Sequence, residues 1–280
     1  MTDDQDATAG VAVVTGAGRG LGRAVANRLS ALGHHVVVTD VDLAAARQTA
    51  AALPSATALV QDVRDPAVHL SVARRAAELG RLAVWVNNAG VLATGVPWSA
   101  DDETVNRVID VNLLGVIHGC RAAIATMAAG PGPGDVVNVA SLAGFGPVPG
   151  VAVYAATKAA VTSFTTSLAG DLRWAGLDRI KVHALCPGAA ATDMALEVAE
   201  DPYSAVLHAA PRLLRPDQVA DAVVRMIGSR SVLRSLPRGR AGMLRAAGLA
   251  PTSSLRLLPY FRSVGERRRR AILDARSRSE

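Results

Sequence analysis

Aromatic residues are scarce in this chain, nine in 280, and cysteine is scarcer, with two. Cys120 and Cys186 each lie in an apolar stretch with no metal-type Cys/His spacing around them. That excludes a disulfide framework and a zinc centre, and it predicts two buried thiols and no bound metal. There is no unbroken apolar run of about eighteen residues, so no segment reads as membrane-spanning. The opening MTDDQDATAG is acidic and polar. It lacks the basic and apolar regions of a signal peptide, and a cytoplasmic location is expected. Lysine is nearly missing too: Lys158 and Lys181 stand against 28 arginines.

Half of the residues are hydrophobic, which is ample for one large core. The net charge of +6 is unevenly spread. Residues 229–280 hold thirteen Arg against Glu266, Asp274 and Glu280, a net +10, which leaves −4 on the first 228. The apolar pattern alternates between two periods. Residues 11–14, 35–40, 56–61 and 83–86 read as strands, and 21–32, 43–52 and 65–79 as helices, with Gly33 closing the first and Asp65-Pro66 opening the third. Repeated βα units predict an α/β fold, a doubly wound and mostly parallel sheet with helices on both faces. A catalytic domain over 1–236 and a basic extension over 237–280 are expected.

The first strand runs into Thr15, Gly16, Ala17, Gly18, Arg19, Gly20, Leu21 and Gly22. Glycines there let the backbone approach a pyrophosphate at a helix N-terminus, although the spacing is G-x-x-x-G-x-G and not G-x-G-x-x-G. Asp40 ends the second strand, where a carboxylate accepts hydrogen bonds from a ribose diol. A 2′-phosphate there would meet like charge, costing about 4 kcal/mol at 4 Å with an effective dielectric of about 20. That favours NAD over NADP. Arg19 pulls the other way, because guanidinium suits phosphate; the carboxylate is the more direct block.

Tyr154 and Lys158 are four apart in a helical stretch, so they share a face. Ser141 stands thirteen residues before the tyrosine. Phenol, ammonium and hydroxyl together suit proton transfer to or from an oxygen. A phenol is a poor base at its ordinary pKa of about 10, and a neighbouring ammonium is expected to bring that value down.

TGAGRGLG (15–22), Asp62-Val63, NNAG (87–90), Asn112, Ser141, YAATK (154–158) and PGAAAT (187–192) occur in an order and spacing that resembles the short-chain dehydrogenase/reductase family, over residues 11 to about 228. The resemblance implies a single-domain Rossmann-type oxidoreductase using NAD or NADP. It implies Tyr154 as general acid/base, Lys158 holding the nicotinamide ribose and lowering the tyrosine pKa, and Ser141 orienting the substrate oxygen. Asn112 would support a water-linked proton relay. Asp62 and Val63 would flank the adenine, Asn88, Ala89 and Gly90 would line the cofactor floor, and Pro187, Gly188 and Thr192 would hold the nicotinamide end.

Residues 193–214 resemble the family's substrate lid. With Met194 there, and Leu142, Phe145, Val148 and Val151 after Ser141, the expected substrate is a lipophilic secondary alcohol or ketone. No charged side chain in these segments is obviously poised for a substrate carboxylate or phosphate. The helix from 153 to 174 carries Val161, Phe164, Leu168 and Leu172 on one stripe, amid Ala, Ser and Thr. Family members pair it, with the long helix before it, across a dimer or tetramer, so a homodimer or homotetramer is expected. The extension mixes leucines, Tyr260 and Phe261 with Arg267 to Arg270. It suits packing over the pocket, a solvated tail or an anionic membrane surface; nucleic acid is not expected, as no recognised module accompanies the charge. Two alternatives stand beside the NAD-linked reading. One is an NADP-linked ketone or 3-oxoacyl thioester reductase, the other a catalytically silent nucleotide sensor.

Overall fold

Valine-rich stretches form seven parallel strands in this computed structural model, which describes residues 9–210 and 213–276. The acidic N-terminus through Thr8, lid residues 211–212 and the last four residues, with Glu280, lie outside the described residues. The strands are β1 (Val11–Val14), β2 (His35–Asp40), β3 (Ala56–Val60), β4 (Leu82–Asn87), β5 (Gly134–Val139), β6 (Ile180–Pro187) and β7 (Leu233–Leu236), ordered β3-β2-β1-β4-β5-β6-β7. Every residue of β1, β4 and β5 is buried, as a parallel sheet covered on both faces requires.

The pleat divides the core in two. Val11 and Val13 face a layer made by α3 (Pro66–Leu79), α5 (Gly115–Ala129) and α6 (Ala152–Trp174). Ala12 and Val14 face α1 (Gly20–Ala31), α2 (Leu43–Ala51) and α8 (Pro216–Val224). Asp42 and Asp65 accept the first free N–H groups of α2 and α3, and Gly33, at φ +84°, follows α1. Strand order reverses between β1 and β4, so a crevice opens at their carboxyl ends.

A helical run covers residues 102–129, beginning with α4 (Asp102–Ile109), but it widens to a π turn over Asp110–Leu114 before α5. A 3.6-residue pattern carries no mark of that turn. This run is also long and apolar enough to cross a membrane by length and composition, which counting unbroken apolar stretches did not detect. In the fold, the Val116, Cys120, Ala123 and Met127 side of α5 is buried in the core. Cys120 and Cys186 are both free and buried.

Beyond β6 come α7 (Asp193–Glu197) and three short 3₁₀ turns, over Val198–Glu200, Pro202–Ser204 and Leu207–Ala209. After β7 the extension forms α9 (Arg238–Leu249), α10 (Pro251–Leu255) and α11 (Leu258–Arg276). It folds back on the domain. α9 packs against residues 142–145 and β7, and α11 against the turns at 198–200 and 207–209. Gly265 lets α11 press directly on the turns at 202–209, since a Cβ there would collide with the Ala205 carbonyl.

Candidate active site

The glycine loop turns because Gly16 adopts φ +61°, and a Cβ there would stand 2.8 Å from Ala89 Cα. Gly22 is equally constrained, its imagined Cβ 2.6 Å from Asn88 Nδ2. Thr15 Oγ1 ties the loop to β4's end, accepting from the N–H groups of Asn88 and Ala89, both at 3.0 Å. Asn88 Nδ2 donates back to the carbonyls of Thr15 and Gly16 at 3.0 Å. Leu21 anchors the loop's far side in the second core layer. Bare backbone thus lines the crevice, a surface that fits a pyrophosphate.

Asp40 sits against this loop, its Oδ2 accepting from Gly18 N at 2.8 Å and its Oδ1 from Asp42 N at 3.1 Å. Arg19 points elsewhere. Its Nη1 lies 2.9 Å from Glu197 Oε1 and 3.5 Å from Asp193 Oδ2, bridging the glycine loop to α7. Thr192 faces the loop as well, 3.6 Å from where a Gly20 Cβ would be. Asp62 is held by Arg64, which keeps its carboxyl below the ordinary range, and Val63 is buried against Gly115. Pro187 ends β6, and Gly188 N donates to Leu236 O at 2.7 Å.

On the other side of the crevice, Asn112 is fully buried within the π turn. Its Oδ1 accepts from Val91 N and its Nδ2 donates to Val91 O, each at 2.8 Å. Lys158 Nζ donates to Val139 O at 2.9 Å and lies 5.7 Å from the centre of the Tyr154 ring. A Cβ on Gly90 would be 3.2 Å from Asn112 Oδ1 and 3.6 Å from Lys158 Nζ, so both converge on that glycine. Ser141 ends the β5 side, its Oγ accepting from Ala143 N and its hydroxyl near enough to the Tyr154 phenol to favour the phenolate.

The electrostatics differ from the sequence expectation. Burial pushes the Tyr154 phenol above its ordinary 10, and the nearby Ser141 hydroxyl pulls only partly against it. Burial also brings Lys158 down to about 8, with Cys186 opposing. Removing both groups from water disfavours both charged forms, and the ammonium is engaged by the Val139 carbonyl. Burial therefore outweighs the lowering expected from the neighbouring ammonium.

A cavity of about 100 Å³ adjoins Ser141, walled by Leu142, Val148, Gly188, Leu207, Leu244 and Phe261 among others. Of the five residues expected to meet substrate, Leu142 and Val148 line it, while Phe145, Val151 and Met194 do not. Phe145 turns toward α9, where Arg245 stacks over its ring at 4.4 Å. Val151 is buried at the start of α6, and Met194 sits in α7. Three leucines and aromatics of the extension, Leu244, Leu258 and Phe261, complete the wall, as does Arg240. That arginine is a charged group the sequence did not reveal at the pocket.

A family model described as short chain dehydrogenase matches residues 10–202. "Short-chain reductase protein NovJ" of Streptomyces niveus is 36% identical, over 80% of this chain and 92% of its own. The 2-(R)-hydroxypropyl-CoM dehydrogenase of Xanthobacter autotrophicus is 34% identical, over 78% and 91%. The 3beta-hydroxysteroid dehydrogenase 1 of Eggerthella lenta is 37% identical, over 68% and 74%. A short-chain dehydrogenase/reductase of Burkholderia phymatum, solved in complex with NAD, superposes with a TM-score of 0.78 at 29% identity, covering 85% of this chain and 92% of that one. With the crevice, the glycine loop and these likenesses in agreement, this chain belongs to the short-chain dehydrogenase family of oxidoreductases.

Proposed function

We propose that the protein interconverts a secondary alcohol and a ketone with NAD as the redox partner. When bound, NAD takes up or gives back the hydride on the alcohol carbon. The chain's own residues manage the proton. In reduction Tyr154 gives its O–H proton to the ketone oxygen and becomes a phenolate, and in oxidation that phenolate takes up the alcohol's O–H proton while the C–H hydrogen leaves as hydride. Ser141 orients the same oxygen through its hydroxyl. Lys158 supports the phenolate, and its amine is in reach of the crevice at Gly90. Asn112 is a positioning residue, holding Val91 and through it the Gly90 backbone. Thr15 to Gly22, Asp40, Asp62, Val63, Asn88 to Gly90, Pro187, Gly188 and Thr192 would hold the dinucleotide.

The observation that carries this reading is the convergence of Lys158 Nζ and Asn112 Oδ1 on Gly90, with the Tyr154 ring centre 5.7 Å from the same Nζ. NAD is favoured over NADP because Asp40 borders the loop while Arg19 is directed to the lid carboxylates. Each Asp40 oxygen has accepting capacity left for a ribose hydroxyl. An NAD-reduction screen over diverse secondary alcohols tests the proposal. Absence of turnover alongside measurable NAD binding would favour a silent nucleotide sensor instead. Self-association is part of the same reading, supported by an apolar groove of about 520 Å³ between Val105, Ile109 and Leu113 on one side and Ala152, Val153 and Ala156 on the other. A monomer in sedimentation would oppose it.

A further inference from the structure

Arg240 lies in the first turn of α9, half-buried in the wall of the cavity that holds Ser141. Among the described residues it is the one charged side chain in that wall. Among the described residues no carboxylate hydrogen-bonds to it or forms an ion pair with it. Its charged neighbour is another cation, Arg268, which donates from Nη1 to Ala209 O at 2.6 Å, and Ala209 also borders the cavity. Burial and that neighbour together bring the Arg240 pKa below its ordinary value. A half-buried guanidinium beside a like charge and without a carboxylate partner favours an anion that completes it. The other described residues of the wall are apolar or small apart from Ser141 and Ser254.

From this arrangement we infer that the substrate carries a carboxylate, or an equivalent monoanion, which pairs with Arg240 while its hydroxyl or keto oxygen meets Ser141. This rests on the proposed role of Ser141 at the reacting oxygen and narrows the substrate to hydroxy and oxo acids with an apolar middle. The planar guanidinium matches a carboxylate with two parallel hydrogen bonds, which a lysine would not reproduce. Size narrows the class further. An apolar cavity of about 150 Å³ accommodates benzene, so about 100 Å³ suits a body of roughly four or five heavy atoms. The same wall accounts for the location of the anion subsite in the extension: residues 142–148 and 206–209 supply only apolar and small side chains to the cavity.

The test compares 3-hydroxybutyrate, 4-hydroxypentanoate and 5-hydroxyhexanoate with their methyl esters, in NAD-linked oxidation by the full chain. The acid-to-ester ratio of kcat/KM should exceed tenfold for at least one length. It should fall by about 10- to 100-fold in Arg240→Gln, the loss expected for one charge-assisted contact. Arg240→Lys should lie between. Arg238→Gln, an exposed arginine on the same turn, should leave the ratio unchanged, and circular dichroism should show each variant folded. Binding of 4-oxopentanoate, followed by ligand-observed NMR, provides a readout independent of turnover. Esters preferred over acids, or a ratio unmoved in Arg240→Gln, would overturn the anion subsite. Carboxylate binding that disappears in Arg240→Gln, with no NAD-linked turnover of any alcohol, would keep the subsite and overturn the dehydrogenase reading. Turnover of neutral alcohols with no carboxylate binding would do the reverse.

Discussion

Replacing Lys158 with methionine should make this protein more stable at neutral pH while removing its proposed activity. The lysine is 4% exposed, and burial holds it at about 8 against an ordinary 10.5. A group with a folded pKa below its unfolded one binds fewer protons in the fold than in the unfolded chain. Stability therefore rises with pH between about 8 and 10.5, and the full penalty applies below pH 8. At pH 7 that penalty is about 3 kcal/mol, from roughly 1.4 kcal/mol for each pKa unit. Methionine fills a similar volume without charge, but it leaves the Val139 carbonyl without its 2.9 Å donor, which costs about 1 kcal/mol. The variant should thus gain about 2 kcal/mol in urea unfolding at pH 7. By pH 9.5 the wild-type penalty has fallen by about 2 kcal/mol, so the gain should nearly vanish there. Tyr154 does not interfere below pH 10, since its folded pKa is raised. A methionine variant destabilised by the same amount at both pH values would refute the argument, because it would mean that the amine is not desolvated in the fold.

Three further outcomes follow from the geometry. Tyr154→Phe should lower turnover by about 10²- to 10⁴-fold while NAD affinity, measured by fluorescence titration, changes little. Asp40→Asn should reduce the NAD-over-NADP preference by about 100-fold in kcat/KM, the like-charge cost discounted for a half-exposed carboxylate. Gly265→Ala would gain about 1 kcal/mol in an ordinary helix interior, yet here it should lower stability by about 1–3 kcal/mol and expose α11 to protease, because its Cβ meets the Ala205 carbonyl.

The parts of the site legible in the sequence are those whose chemistry is local. Gly16 needs a positive φ, Asp40 must end a strand, and Tyr154 and Lys158 must be one helical turn apart; each demand is visible within a few residues. The π turn around Asn112 was not legible, since one extra residue in a turn leaves the apolar period almost unchanged. The substrate wall was only half legible. An apolar side chain after Ser141 can face the cavity, as Leu142 and Val148 do, or the neighbouring helix, as Phe145 does, and composition does not distinguish them. Arg240 was hidden among thirteen arginines because its place depends on β7 turning the chain back over Gly188. The lowered phenol pKa was expected from the presence of an ammonium alone; burial, which reverses the sign in this state, is a property of the packed fold.

Because α9, α10 and α11 complete the cavity after the sheet is already closed, much of the wall beside Ser141 is written in a stretch of polypeptide that takes no part in the glycine loop or the Tyr154–Lys158 helix. The last forty-odd residues could therefore be exchanged or remodelled during evolution without disturbing how the dinucleotide is gripped. In the laboratory the same partition makes the carboxyl-terminal end the place to graft new selectivity, and a poor place for a bulky affinity tag.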